Sequence, residues 1–158
     1  MQMQSPVSQL ETLLPLAVNW ARENQSKILA QGVPLSEPEL FEARRVGVKQ
    51  PERVRLLSVP AIPFPEHPLL QAACRATNLV PESPRGLTLF YGIYVRSDCW
   101  RDRSIVVHEL VHTAQYERLG GIGPFLQSYL GECMTFGYAN SSMENEARRA
   151  ASRLCQHA

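Results

Sequence analysis

Two histidines four positions apart, His108 and His112, sit inside an apolar run, Ser104-Ile105-Val106-Val107-His108-Glu109-Leu110-Val111-His112-Thr113-Ala114-Gln115. Ile105, Val106, Val107, Leu110, Val111 and Ala114 leave little polar surface, so the segment reads as a helix buried over most of its circumference. At 3.6 residues per turn the two imidazoles lie one turn apart on one face, where both reach a single metal ion. Glu109, beside the first histidine, is then placed to hold a water on that ion and take its proton. Buried imidazoles and a buried carboxylate are costly without partners or a metal. The rest of the chain must therefore fold around this helix and satisfy it. Histidine is otherwise scarce, with four in the whole chain, so the pair is not a product of composition.

The 158 residues suit one domain, 1–158, with one modest hydrophobic core. Within it, residues 1–50 form a candidate N-terminal helical arm, and residues 51–158 the core around the motif. A net charge of +1 gives no electrostatic reason to expect a nucleic-acid partner. No apolar run approaches the roughly 20 residues needed to span a bilayer, so no membrane insertion is expected. The stretch from Leu10 to Trp20 is broken by Glu11, Pro15 and Asn19 and follows no basic segment. It is not a secretory signal, and a cytoplasmic protein is the expectation. Cys74, Cys99, Cys133 and Cys155 include no Cys-x-x-Cys pair and are expected to be reduced and partly buried.

The periodicity predicts a first helix from Ser8 to about Ala30, with Pro15 as a kink or a break into two. Ser36-Glu37-Pro38-Glu39 opens a second, whose core face is Leu40, Phe41 and Ala43. A short strand is predicted over Val54 to Val59, then irregular chain through Pro60, Pro63, Pro65 and Pro68, then a helix from Leu69 to Thr77. Pro81 to Gly86 reads as a turn. It leads into Leu87 to Arg96, rich in β-branched and aromatic residues, as one bent strand or a hairpin. The motif helix runs on through Arg118 to Gly120-Gly121. Pro124 starts another helix, Gly137 to Ser142 is a polar break, and Met143 to about Cys155 is the last helix.

Two histidines leave a catalytic metal site one protein ligand short. His67 lies in the proline-rich stretch and His157 next to the last residue. Glu144 and Glu146 open the last helix, and Glu144 lies 32 positions after His112. Helical spacing puts Glu144 on the apolar face with Ala147, Ala151 and Leu154, and Glu146 on a more solvated face with Arg149, Ala150 and Arg153. Glu144 is the preferred third ligand and Glu146 the alternative.

With these residues in view, the chain resembles the gluzincin metallopeptidases, most of all the small His-Glu-x-x-His domains of bacterial minimal proteases. The likeness covers roughly residues 86 to 155: the strand Ile93-Tyr94-Val95, the motif His108 to Gln115, and Glu144-Asn145-Glu146-Ala147. It implies an α+β fold, mainly helical and zincin-like, with a small β-sheet or hairpin preceding the active-site helix. It implies Zn²⁺ held by His108, His112 and Glu144, with Glu109 as general base in peptide-bond hydrolysis of a peptide or protein substrate. A donor for the tetrahedral intermediate would come from Tyr129, Tyr138, Arg148 or His157, and an edge of the Leu87–Val95 strand would take an extended peptide. The family places an aspartate four residues after the ligand glutamate, where it hydrogen-bonds a zinc histidine, and this chain has Arg148 there. Arg148 is then expected to pair with a glutamate or to stabilise an oxyanion. The alternative is a catalytically weak or inactive zinc-binding protein-interaction module.

Overall fold

A computed structural model describes residues 6–77 and 83–155. Pro81 and Glu82 of the expected turn, and His157, lie outside them. The elements are α1 (Pro6–Gln31), β1 (Val33–Pro34), α2 (Glu37–Arg45), β2 (Arg55–Val59), α3 (Pro68–Thr77), β3 (Gly86–Leu89), β4 (Gly92–Arg96), α4 (Arg103–Leu119), α5 (Ile122–Phe136) and α6 (Ser142–Cys155). The fold is α+β and mainly helical, and the β3–β4 hairpin directly precedes the helix that carries the motif.

The four strands lie in the order β1-β2-β4-β3, which leaves β3 as an edge. β2 and β4 are parallel, whereas β1 and β3 run antiparallel to their neighbours. Alternation along β4 gives the sheet two apolar faces. Ile93 and Val95 join Leu56, Ala43, Val106, Leu110 and Ala114 on the side of α2 and α4. Tyr94 joins Ala21, Ile28, Phe125 and Leu130 on the side of α1 and α5. Each fully buried Ile or Leu in these layers is worth about 1.5–3 kcal/mol. The first 50 residues thus contribute to both layers, through Ala21 and Ile28 on one side and Leu35, Ala43 and Val48 on the other. The Tyr94 hydroxyl also donates to Asn24 Oδ1 at 2.6 Å, tying α1 to the sheet.

Three expectations about local structure need correction. Of the two readings of Pro15, the break into two helices is the one that fails, because α1 is a single helix through it. The lost backbone hydrogen bond is outweighed by burial of Leu13, Ala21 and Ile28 against the sheet and α5. Phe41 is 60% exposed and does not belong to the core face of α2. Leu40 and Ala43 occupy that face, and Phe41 lies outside under the Arg45 guanidinium. Ala150, expected on a solvated face, is buried with Val111 and Ala147 in the seam between α4 and α6. The start of α2 follows its sequence signature: Ser36 and Glu39 exchange the two hydrogen bonds of a capping box. All four cysteines are free, Cys74 and Cys133 being buried. None of the described helices is long and apolar enough to cross a membrane.

Candidate metal centre

α4 is buried on nearly every side because its three faces serve three purposes. Val106, Leu110 and Ala114 enter the sheet layer, and Val111 meets Ala147 and Ala150 of α6. His108, His112 and Tyr116 face a cleft. Asp102 caps the start, its Oδ1 accepting from the Ile105 amide at 3.2 Å. Gly120, with φ +103°, closes the end in the left-handed conformation that glycine tolerates.

α6 brings Glu144 onto this face. The small Ala147 and Ala151 let the helix lie close to α4, as the facial argument anticipated, and Ala150 joins them. His108 Nε2 is 3.1 Å from Glu144 Oε1, and His112 Nε2 is 3.1 Å from Glu144 Oε2. One ligand atom from each residue lies within 4.8 Å of the other two. Donor atoms on a tetrahedral zinc ion with bonds near 2.0–2.1 Å are separated by roughly 3.3 Å, close to the two imidazole–carboxylate separations, though the three atoms as a group are bounded only at 4.8 Å. Two imidazole nitrogens and one carboxylate also form the donor set that zinc accepts in catalytic sites. The side chains of His112 and Glu144 are 6% and 4% exposed and that of His108 is 21% exposed, which leaves one side of the cluster open to the cleft. Glu146, the alternative ligand, is exposed and turns instead to Arg118 and Gln115.

The electrostatics of the cluster favour a cation. Burial works against a charged His112, but the adjoining Glu144 carboxylate and the nearby Glu109 outweigh it and push the pKa up to about 9. Burial raises the Glu144 pKa, whereas hydrogen bonds from His108, His112 and Tyr129 hold it well below the usual carboxylate range. Tyr129 donates to Glu144 Oε2 at 2.7 Å and Tyr138 to Oε1 at 3.4 Å. Burial, then the Glu144 charge, pushes both phenols up, so they remain O–H donors at neutral pH.

Glu109 is 7% exposed and lies on the same cleft wall. The Thr88 hydroxyl is 2.9 Å from both Glu109 Oε1 and the Glu109 carbonyl, which leaves Oε2 without that partner. Edge strand β3 passes so near that a Cβ on Gly86 would lie 3.1 Å from Glu109 Cγ. The cleft beyond encloses about 360 Å³ between α1, α3, β3, α4 and α5. Its lining is mostly apolar, with Leu13, Trp20, Ile62, Leu70, Leu126 and Leu130 among the walls.

The remaining candidates lie elsewhere. His67 Nδ1 accepts from the Leu69 amide at the start of α3 and is no part of the cluster. Arg148 does not pair with a glutamate in any described bond: it donates to Asn145 Oδ1 at 2.9 Å and to the Ala139 carbonyl, with its guanidinium over the Tyr138 ring. Four positions after Glu144 and half-buried, it makes no described bond to either histidine. Of the four candidate oxyanion donors, Tyr129 and Tyr138 line the cleft and Arg148 does not. Sequence reasoning missed Thr88 and Gly86, and it gave no role to Gln115, whose side-chain oxygen is 2.8 Å from His112 Nδ1. Only for Gln115 was there a signal, its position three residues after His112. Comparison with known protein families, curated proteins and solved structures finds no match for this chain.

Proposed function

We propose that the chain is a zinc-dependent peptide-bond hydrolase, with Zn²⁺ held by His108, His112 and Glu144. One observation carries the reading: three ligand atoms from two helices converge beside a buried carboxylate on the wall of an open cleft. Zinc bound there would supply Lewis acidity, activating a water and polarising a carbonyl. Glu109, steadied through Oε1 by Thr88, accepts the proton of the attacking water at Oε2. It then passes that proton to the amine nitrogen as the C–N bond breaks. Tyr129 and Tyr138 spend their single O–H hydrogens on Glu144 and hold its carboxylate in place, and either would have to turn from it to meet the negative charge that develops on the carbonyl oxygen. β3 is one of the sheet's two edge strands and adjoins Glu109, so its backbone is available to an extended peptide lying along the cleft.

The purified chain is expected to hold about one zinc per molecule, and His108→Ala or His112→Ala to lose it. Glu109→Gln is expected to keep the metal and to lose peptide hydrolysis by a factor of at least about 100. A Glu109→Gln protein that cleaves peptides at the wild-type rate sinks the enzyme reading. Zinc in a wild-type protein without hydrolysis points to the interaction-module alternative.

A further inference from the structure

Gln115 is 1% exposed, and its amide is bonded at both ends. Nε2 is 3.0 Å from the Met143 carbonyl and 2.9 Å from Glu146 Oε1. Both are acceptors only, so the NH₂ group must face them and the carbonyl must face the other way. There Gln115 Oε1 lies 2.8 Å from His112 Nδ1. A carbonyl oxygen only accepts, so Nδ1 carries a hydrogen, and Nε2, 3.1 Å from Glu144 Oε2, is the nitrogen left to give up its own proton to a metal ion. Glu146 is in turn gripped by Arg118, at 3.1 and 3.4 Å. The sense of the buried amide is thus set from the surface, along the path Arg118–Glu146–Gln115–His112.

We infer that Gln115 is the positioning residue of the metal centre, fixing the tautomer and ring orientation of His112, with Glu146 and Arg118 locking the amide. It occupies the role usually taken by a carboxylate or a backbone carbonyl on a metal-bound histidine. Its neutrality has a physical reason. Glu109, Glu144 and Glu146 already surround His112, and a further buried carboxylate would add repulsion rather than orientation. The inference rests on the metal-holding part of the proposal above and not on hydrolysis.

The test uses the full chain loaded with Zn²⁺. Long-range ¹H–¹⁵N spectra are expected to show His112 protonated at Nδ1 and bound through Nε2, and the reverse assignment overturns the inference without any variant. Gln115→Met, which fills the space without the carbonyl, is expected to weaken zinc binding 10–100-fold in competition with a chromogenic chelator. Gln115→Glu combined with Glu146→Gln, which keeps an acceptor at Nδ1 and replaces the facing carboxylate with an amide that can donate, should restore most of that loss. Wild-type affinity in Gln115→Met, or an equal loss in both variants, overturns the inference; the latter assigns Gln115 to packing alone. Absence of zinc binding in the wild-type protein overturns this inference and the proposed function together. Zinc binding without hydrolysis removes only the latter.

Discussion

Gly86 and Glu109 are far apart in sequence and touch in the fold. A Cβ at position 86 would lie 3.1 Å from Glu109 Cγ and 3.2 Å from both Cδ and Oε2, closer than side chains ordinarily pack. The backbone at Gly86 has no left-handed φ, so alanine is compatible with the strand itself. Something must give by a few tenths of an ångström, and Glu109, held on its other side by Thr88, is what stands in the way. Gly86→Ala is therefore expected to keep its zinc and its melting temperature and to lose activity about tenfold, since small misplacements of a catalytic group are costly. Steady-state kinetics beside metal analysis read this directly, and an unchanged kcat would show that the contact is slack. At this scale the motif announced His108, Glu109 and His112, because their chemistry is written in adjacent letters. The contact from Gly86 was not legible: in the sequence that glycine is the end of a turn, and only the hairpin's docking on α4 gives it a neighbour.

A ligand on a separate helix is only as well placed as the start of that helix, and α6 is anchored by α5. Glu132 Oε1 accepts from the Ser141 hydroxyl at 2.9 Å and from the Met143 amide at 3.4 Å, and Oε2 accepts from the Ser142 hydroxyl. Ser141 Oγ in turn faces the Glu144 amide at 3.4 Å. Burial works to raise the Glu132 pKa, but the bonds from Ser142, Ser141 and the Met143 amide outweigh it and hold the carboxyl below its ordinary 4.5. Because the folded value is the lower one, the anchor contributes fully above the unfolded value of about 4.3 and is lost as pH falls through the folded value. Glu132→Gln is expected to cost about 1 kcal/mol at pH 7, with the difference from wild type shrinking in denaturant titrations below pH 4. A gap that persists undiminished at pH 3 would mean that the charge does not matter. The elements themselves were largely legible, and a facial argument alone put Glu144 inward. Pro15 misled because tertiary packing on α1 outweighs one missing hydrogen bond. The hairpin turn stayed ambiguous because Phe90, with φ +63°, occupies the left-handed position where glycine or asparagine would have marked it. Its ring is kept there by stacking on Tyr91 and Tyr116, and its carbonyl by the Thr113 hydroxyl.

Across the whole molecule, the cleft is the feature that no single segment encodes. Leu13, Ala17 and Trp20 from α1, Ile62 and Pro63 from the proline-rich stretch, Leu70 and Cys74 from α3, and Leu126 and Leu130 from α5 meet in front of the His108–His112–Glu144 cluster. Residues before the β3–β4 hairpin therefore build much of the wall that faces the histidine motif, and α5 completes it. The cleft encloses about 360 Å³, enough for a large apolar side chain with room beside it, and its polar groups gather at the histidine and glutamate end. A substrate whose scissile bond lies at that end projects a neighbouring side chain into apolar surroundings. Burying a leucine or phenylalanine there is worth about 1.5–3 kcal/mol, or roughly 10–100-fold in kcat/KM over glycine at the same position. A charged side chain would lose its hydration among the apolar walls, since Arg85, the one guanidinium among the lining residues, is itself exposed to solvent. In a competition among peptides that differ at one position beside the cleaved bond, leucine and phenylalanine should be preferred over glycine by that margin, and aspartate should be rejected. Ala17→Phe, which fills part of the cleft from α1 without touching the metal ligands, should reduce the rate on the large residues and leave the glycine and alanine peptides unchanged. Equal cleavage of aspartate and leucine peptides by the wild-type protein, or an Ala17→Phe profile identical to wild type, would mean that substrates are read elsewhere, along the β3 edge alone.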